Sequence, residues 1–244
     1  MKIFRPLGWI YRLYFALVFF GSLLVLYPFF WFLLNNEKRH PRAFKLKRKW
    51  AYFLSIASLA PLKVKRPVGF KLPPPPYIIC ANHTSFLDII YMYIMFPDLF
   101  LFMGKKELLK WPLFGIFFRK MDIAVDRRNP RAAIESLKLV STEIQKGKSF
   151  ALFPEGTIPP TVPVMKSFKN GAFTVAIENQ VPIIPVTFLN NHEILAENPA
   201  GKARPGVAKV IIHNPVETKG LTNEDLIPLR TQLFDIIKSG LNEH

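Results

Sequence analysis

Apolar and polar positions divide this chain into three textures. Residues 13–34 carry no charge and are rich in Phe, Leu, Val and Tyr. As a helix rising about 1.5 Å per residue, they would extend roughly 33 Å, just over the hydrocarbon thickness of a bilayer. Pro28 predicts a kink or an end near the C-terminal third of that helix. Lys2 and Arg5 precede the run, but it is long for a signal-peptide core and no small-residue cleavage site follows, so it is read as retained in the mature protein. A weaker apolar stretch, 50–62, predicts a second helix. It pairs with the first as a hairpin that lies in the interface or enters one leaflet; a plain transmembrane anchor followed by a solvated basic face fits the pattern equally.

Beyond Pro73-Pro-Pro-Pro76, a stiff extended spacer, the texture changes. Short apolar runs at 77–81, 99–103, 122–126, 149–153, 183–188 and 207–213 read as strands. Helical spacing appears at 86–95, 130–146 and 171–178, the second of these with Ile134, Leu137, Val140 and Ile144 on one face. A last helix begins at Thr222, with Asp225 completing a capping box, and presents Leu226, Leu229, Leu233 and Ile236 to a core. Prolines and glycines break up 105–118. Strands alternating with helices predict an α/β fold, with a mainly parallel central sheet flanked by helices. The expected organisation is a membrane-associated helical hairpin (1–62), a Pro-rich linker (63–76) and a catalytic domain (77–244).

Composition narrows the partners. The chain has 33 Lys and Arg against 17 Asp and Glu, a formal charge of +16, yet half of it is hydrophobic. Such basicity implies an anionic partner, nucleic acid or an anionic membrane. Lys38, Arg39, Arg42, Lys45, Lys47, Arg48 and Lys49 lie directly beside the apolar N-terminus, the arrangement expected for lipid head groups on a cytoplasmic face. Basic residues interleaved with exposed aromatics, as nucleic-acid binding would require, are not found. The single cysteine, Cys80, excludes an intramolecular disulfide and a cysteine metal cluster. The five histidines show no metal-ligand spacing, and there is no P-loop.

The chemistry centres on Cys80-Ala-Asn-His-Thr-Ser-Phe-Leu-Asp88, between a buried strand and a helix. On one helix His83 and Asp88 would stand about 140° apart, and on one strand they would face opposite sides. They meet only if a turn intervenes. Asp88 could then accept one ring N–H and leave the other nitrogen as a base. Ser85-x-x-Asp88 also fits a capping box, in which Asp88 serves only the helix start. Phe153-Pro-Glu-Gly-Thr157 follows another strand and so falls at the same edge of the sheet, where open α/β sheets bind ligands. Lys105 and Arg127 also fall at strand ends, placed to gather around a phosphate. Val181-Pro-Ile-Ile-Pro-Val186 enters a strand that could line an apolar pocket.

Together these blocks resemble the glycerolipid acyltransferase family that includes 1-acyl-sn-glycerol-3-phosphate acyltransferases. Asn82-His83-Thr-Ser-Phe-Leu-Asp88 resembles the family's first block, Val125-Asp126-Arg127 the end of its second, Phe153 to Thr157 its third and Val181 to Pro185 its fourth. Met121 and Ala124 stand where the second block usually has glycine and an aromatic. Ile158 stands where the third continues with a phosphate-holding arginine; Lys166 or Lys169 could substitute. The resemblance implies transfer of a fatty acyl group from acyl-CoA or acyl carrier protein to a lysophospholipid hydroxyl at the cytoplasmic face of the cell membrane. His83 would be the base and Asp88 its orienting partner. Asn82, Ser85, Lys105, Arg127, Glu155, Gly156 and Thr157 would contact substrate, with no metal and no cofactor beyond the co-substrate. Glycerol 3-phosphate or a lyso-aminolipid is the competing acceptor, and a non-catalytic, basic membrane-surface protein is the competing class.

Overall fold

The computed structural model describes residues 4–126 and 128–242. Helix α1 (Phe4–Leu34) runs through Pro28 without ending. Packing beyond the proline holds it: Phe30 is fully buried, 5.0 Å from the Phe117 ring and 5.8 Å from Trp50. A turn capped by the Asn36 side chain leads into α2 (His40–Ala57), with Pro41 in its first turn. The basic run is therefore itself helical and does not face solvent throughout. Lys47 is 3% exposed and pairs with Asp122 at 3.0 Å, and Arg48 donates to the Tyr93 carbonyl. Position 47 lies three residues after Phe44, four after Ala43 and four before Ala51, on the inward face of α2, so this lysine is carried into the core.

β1 (Leu62–Lys65) falls at the junction between the expected second helix and linker, and pairs in parallel with β7 (Ala208–Ile212). Its Leu and Val half-buried, Lys exposed alternation is that of an edge strand. The remaining strands are β2 (Ile78–Ala81), β3 (Phe100–Lys105), β4 (Ile123–Val125), β5 (Ser149–Leu152) and β6 (Ile183–Phe188). The sheet order is β1-β7-β6-β2-β5-β3-β4, parallel at every pair except β6–β7. β2, β5 and β6 are buried at every position, as strands covered on both faces must be.

Helices α3 (Leu87–Met95), α4 (Gly115–Lys120), α5 (Pro130–Gln145), α6 (Gly171–Asn179), α7 (Asn191–Ile194) and α8 (Leu226–Leu241) complete the fold. Two expected faces are rotated. On α5, Ile134 is exposed and Ser136 lies inward with Val140 and Ile144, its hydroxyl satisfied by the Ala132 carbonyl. On α8 the buried line is Leu229, Leu233 and Ile237, with Leu226 and Ile236 at its margins. The capping box of Thr222 and Asp225 is present, closing a 3-10 turn ahead of the helix.

Candidate active site

Because β2, β3, β5 and β6 are parallel, their carboxyl ends share one edge of the sheet, and the polar residues that follow them converge there. Asn82 follows β2 and is fully buried. Its carboxamide donates to the Phe188 carbonyl at 3.0 Å and accepts the Phe188 N–H at 2.7 Å, extending the β2–β6 ladder by one side chain. The turn this fixes carries His83. Its backbone N–H donates to Glu155 Oε1 at 2.8 Å, and its ring lies flat on Phe153, centroids 3.9 Å apart and 12° from parallel.

His83 Nδ1 is 2.8 Å from Asp88 Oδ2. Asp88 is fully buried and its Oδ2 also accepts the backbone N–H groups of Thr84 (2.6 Å) and Ser85 (3.0 Å). The two readings of Ser85-x-x-Asp88 are thus both realised: one carboxylate closes the helix start and holds the imidazole. An ionised Asp88 is acceptor-only, so Nδ1 carries the proton and Nε2 holds the free lone pair. The ring borders a cavity of about 440 Å³.

That cavity is walled by aromatic side chains from both parts of the molecule, among them Phe19 of α1, Trp50 of α2, Phe102 of β3 and Phe117 of α4. Gly104 lets Phe118 approach: a Cβ there would stand 2.3 Å from the ring. Gly156, Thr157, Lys105 and the buried Ile158 also line it. Gly156 has φ +74, a backbone conformation that favours glycine, and the end of the Lys169 side chain lies over it, 3.1 Å from where a Cβ would stand.

Three residues expected at the substrate lie behind the cavity instead. Asn82 is engaged with Phe188. Ser85 donates to the Leu195 carbonyl at 2.6 Å and receives the Leu87 N–H. Glu155 uses its second oxygen on the Lys166 N–H at 2.7 Å, and burial raises its pKa despite these two amides and the nearby imidazole. Buried polar groups satisfied by backbone shape a site rather than face a ligand. Arg127 is outside the described residues, Lys106 pairs with Asp126, and 181–186 contribute sheet, not cavity wall. Burial drives the Cys80 thiol pKa far upward, leaving no thiolate nucleophile.

The Acyltransferase family model matches residues 69–189, spanning His83, Asp88, Glu155 and the fourth block. The chain belongs to that family. The crystal structure of the 1-acyl-sn-glycerophosphate (LPA) acyltransferase PlsC from Thermotoga maritima superposes with a TM-score of 0.79, covering 98% of this chain and 97% of that one at 25% identity. A 1-acyl-sn-glycerol-3-phosphate acyltransferase of Helicobacter pylori is 28% identical over 88% of both chains. The chloroplastic LPAT1 of Arabidopsis thaliana is 34% identical over 58% of this chain. The chain spans about two-fifths to half of the length of the plant relatives it matches.

Sequence reasoning missed four residues in and around this site. Asn191 and Asp122 each reach the site from far along the chain, Asn191 donating to Asp88 Oδ1 at 2.7 Å. Lys47 enters the cavity wall from the helical hairpin. Arg12 donates to the carbonyls of Ala196, Asn198, Gly201 and Lys202, tying α1 to the loop that carries cavity residue Glu197. The one local signal was an Asn-Asn pair, 190–191, one residue beyond the strand at 183–188.

Proposed function

We infer that the protein transfers a fatty acyl group from a thioester, on coenzyme A or acyl carrier protein, to the free hydroxyl of 1-acyl-sn-glycerol 3-phosphate. One observation carries the reading: an imidazole held by a buried carboxylate borders an aromatic cavity of a size suited to an acyl chain. His83 Nε2 takes the acceptor's hydroxyl proton as its oxygen bonds the thioester carbonyl carbon. The carbon–sulfur bond then breaks, and the imidazolium returns the proton to the departing thiolate, leaving an ester and a free thiol. Asp88 holds the ring and stabilises its charged form without taking the proton. No covalent acyl-enzyme is required.

Lys105 borders the cavity and Lys169 lies over Gly156, which supports a role for both in holding an acceptor phosphate; by sequence, Arg127 joins them. Ile158 supports a second reading, in which the acceptor is a lyso-aminolipid without phosphate. The exposed apolar face of α1, including Leu13, Leu17 and Leu24, and the basic residues beside it support residence at the cytoplasmic face of the cell membrane.

The test is an assay of purified protein with lysophosphatidate, glycerol 3-phosphate and lyso-aminolipids, each with both thioester donors. His83→Ala is expected to abolish transfer, and Asp88→Asn to lower it at least about 100-fold. Near-normal turnover by His83→Ala overturns the mechanism, and a better rate with a lyso-aminolipid overturns the acceptor. Lys105→Ala is expected to raise KM for lysophosphatidate about tenfold with little change for the thioester.

A further inference from the structure

We propose that Asn191 is a positioning residue of the His83–Asp88 dyad, acting through the Asp88 oxygen that the histidine does not use. This rests on the assignment of His83 as the base. Asp88 Oδ2 already serves three donors on its own loop, whereas Oδ1 is held by the Thr84 hydroxyl at 3.3 Å and by Asn191 Nδ2 at 2.7 Å. The shorter of these two bonds comes from 103 residues away, from the short helix after β6.

The orientation of the Asn191 amide follows from chemistry. An ionised carboxylate cannot donate, so turning the amide round would set two acceptors 2.7 Å apart. Yet this orientation leaves Asn191 Oδ1 buried without a hydrogen-bond partner among the described residues. An unsatisfied buried carbonyl is costly. The arrangement persists because the amide's other end is engaged at Asp88, and it is hard to explain as packing alone.

Two consequences follow for the reaction. Fixing Oδ1 sets the rotation of the carboxylate plane, and so the direction in which Oδ2 meets the imidazole. Donating to Oδ1 also engages that oxygen, so Oδ2 remains the one turned to the ring when the imidazolium forms. Asn191 does not border the cavity. It therefore touches neither acyl chain nor acceptor, and its effect should appear in the chemical step and not in binding.

The experiment is a double-mutant cycle on the full chain, with kcat and KM measured for both substrates. Asn191→Leu keeps the branched, four-atom shape of the side chain and removes the donor. In the wild-type background kcat is expected to fall about ten- to a hundredfold, the range for a hydrogen bond to a charged group, with both KM values within about twofold. In the Asp88→Asn background the same change should cost less than about twofold, because the group through which Asn191 acts is gone. Asn191→Asp preserves the side chain's shape and decides the matter if the leucine variant does not fold. It too should lower kcat without raising KM, since a second carboxylate now faces Asp88. Unchanged kcat, a rise in KM that accounts for the loss, or an equal loss in both backgrounds overturns the proposal. An inactive His83→Ala enzyme alongside a fully active Asn191→Leu enzyme would sink this inference alone, whereas an active His83→Ala enzyme would sink the mechanism beneath it.

Discussion

Glu155 binds the backbone N–H of His83 with one carboxylate oxygen and that of Lys166 with the other. A glutamine can accept at one end only, and its NH2 would face an N–H donor at the other. Glu155→Gln is therefore expected to destabilise the protein by roughly 1–3 kcal/mol and to slacken the turn that carries His83. The two differ in their pH dependence. Burial raises the Glu155 pKa in the folded protein, so its contribution to stability is fully present below the unfolded carboxylate value of about 4.3 and declines as pH rises through the folded one. Glu155→Gln should flatten that part of the stability profile, as measured by denaturant unfolding from acid to neutral pH. A variant with an unchanged slope would show that another group titrates there.

At the scale of elements, the legible part of the fold was local. Strands 78–81, 149–152 and 183–188 are apolar except at Ser149 and Thr187, and a pattern of that kind depends only on neighbours in sequence. His83 and Asp88 were legible because a five-residue spacing and one turn bring them together. β1 was obscured because its four residues adjoin an apolar run that reads as helix. Lys47 was obscured for a different reason: a basic run reads as solvated, and only the partner from β4's approach reveals that one member is turned inward. Asn82, Ser85 and Glu155 were read as substrate contacts because a polar residue at a strand end gives no sign of which backbone group will claim it. Lys47 also yields a prediction. Its ammonium bonds Asp122 Oδ2 and the Tyr93 hydroxyl, while Asp122 Oδ1 accepts the Phe102 N–H. Lys47→Met should destabilise by about 3–5 kcal/mol, because it leaves a buried carboxylate unpaired. Adding Asp122→Asn should recover much of that loss, since the amide keeps an acceptor for Phe102 and carries no charge. Thermal unfolding of both variants in detergent measures the difference, and no recovery in the double variant would refute the account.

Across the whole molecule, the helical hairpin and the sheet share one interior. Phe19, Trp50 and Lys47 stand in the same cavity wall as Phe102 and Phe117, and Arg12 clasps the loop at 196–202. Removing residues 1–57 is thus expected both to release the protein from membranes and to lower its unfolding temperature, by exposing the wall and stranding Asp122. Differential scanning calorimetry of the truncated chain decides this; an unchanged Tm would mean that the hairpin is merely appended. The intact protein should stay on vesicles through a high-salt wash, because apolar contact, unlike charge, is not screened.

That shared wall has a consequence for interchangeability. A simple anchor can be swapped for any apolar helix of equal length, since lipid reads only hydrophobicity. Here one side of α1 is exposed and apolar and another side completes a cavity, so the two sides obey different rules. A chimera carrying a foreign transmembrane helix in place of α1 would reach the bilayer and still lack one wall of the chamber beside His83.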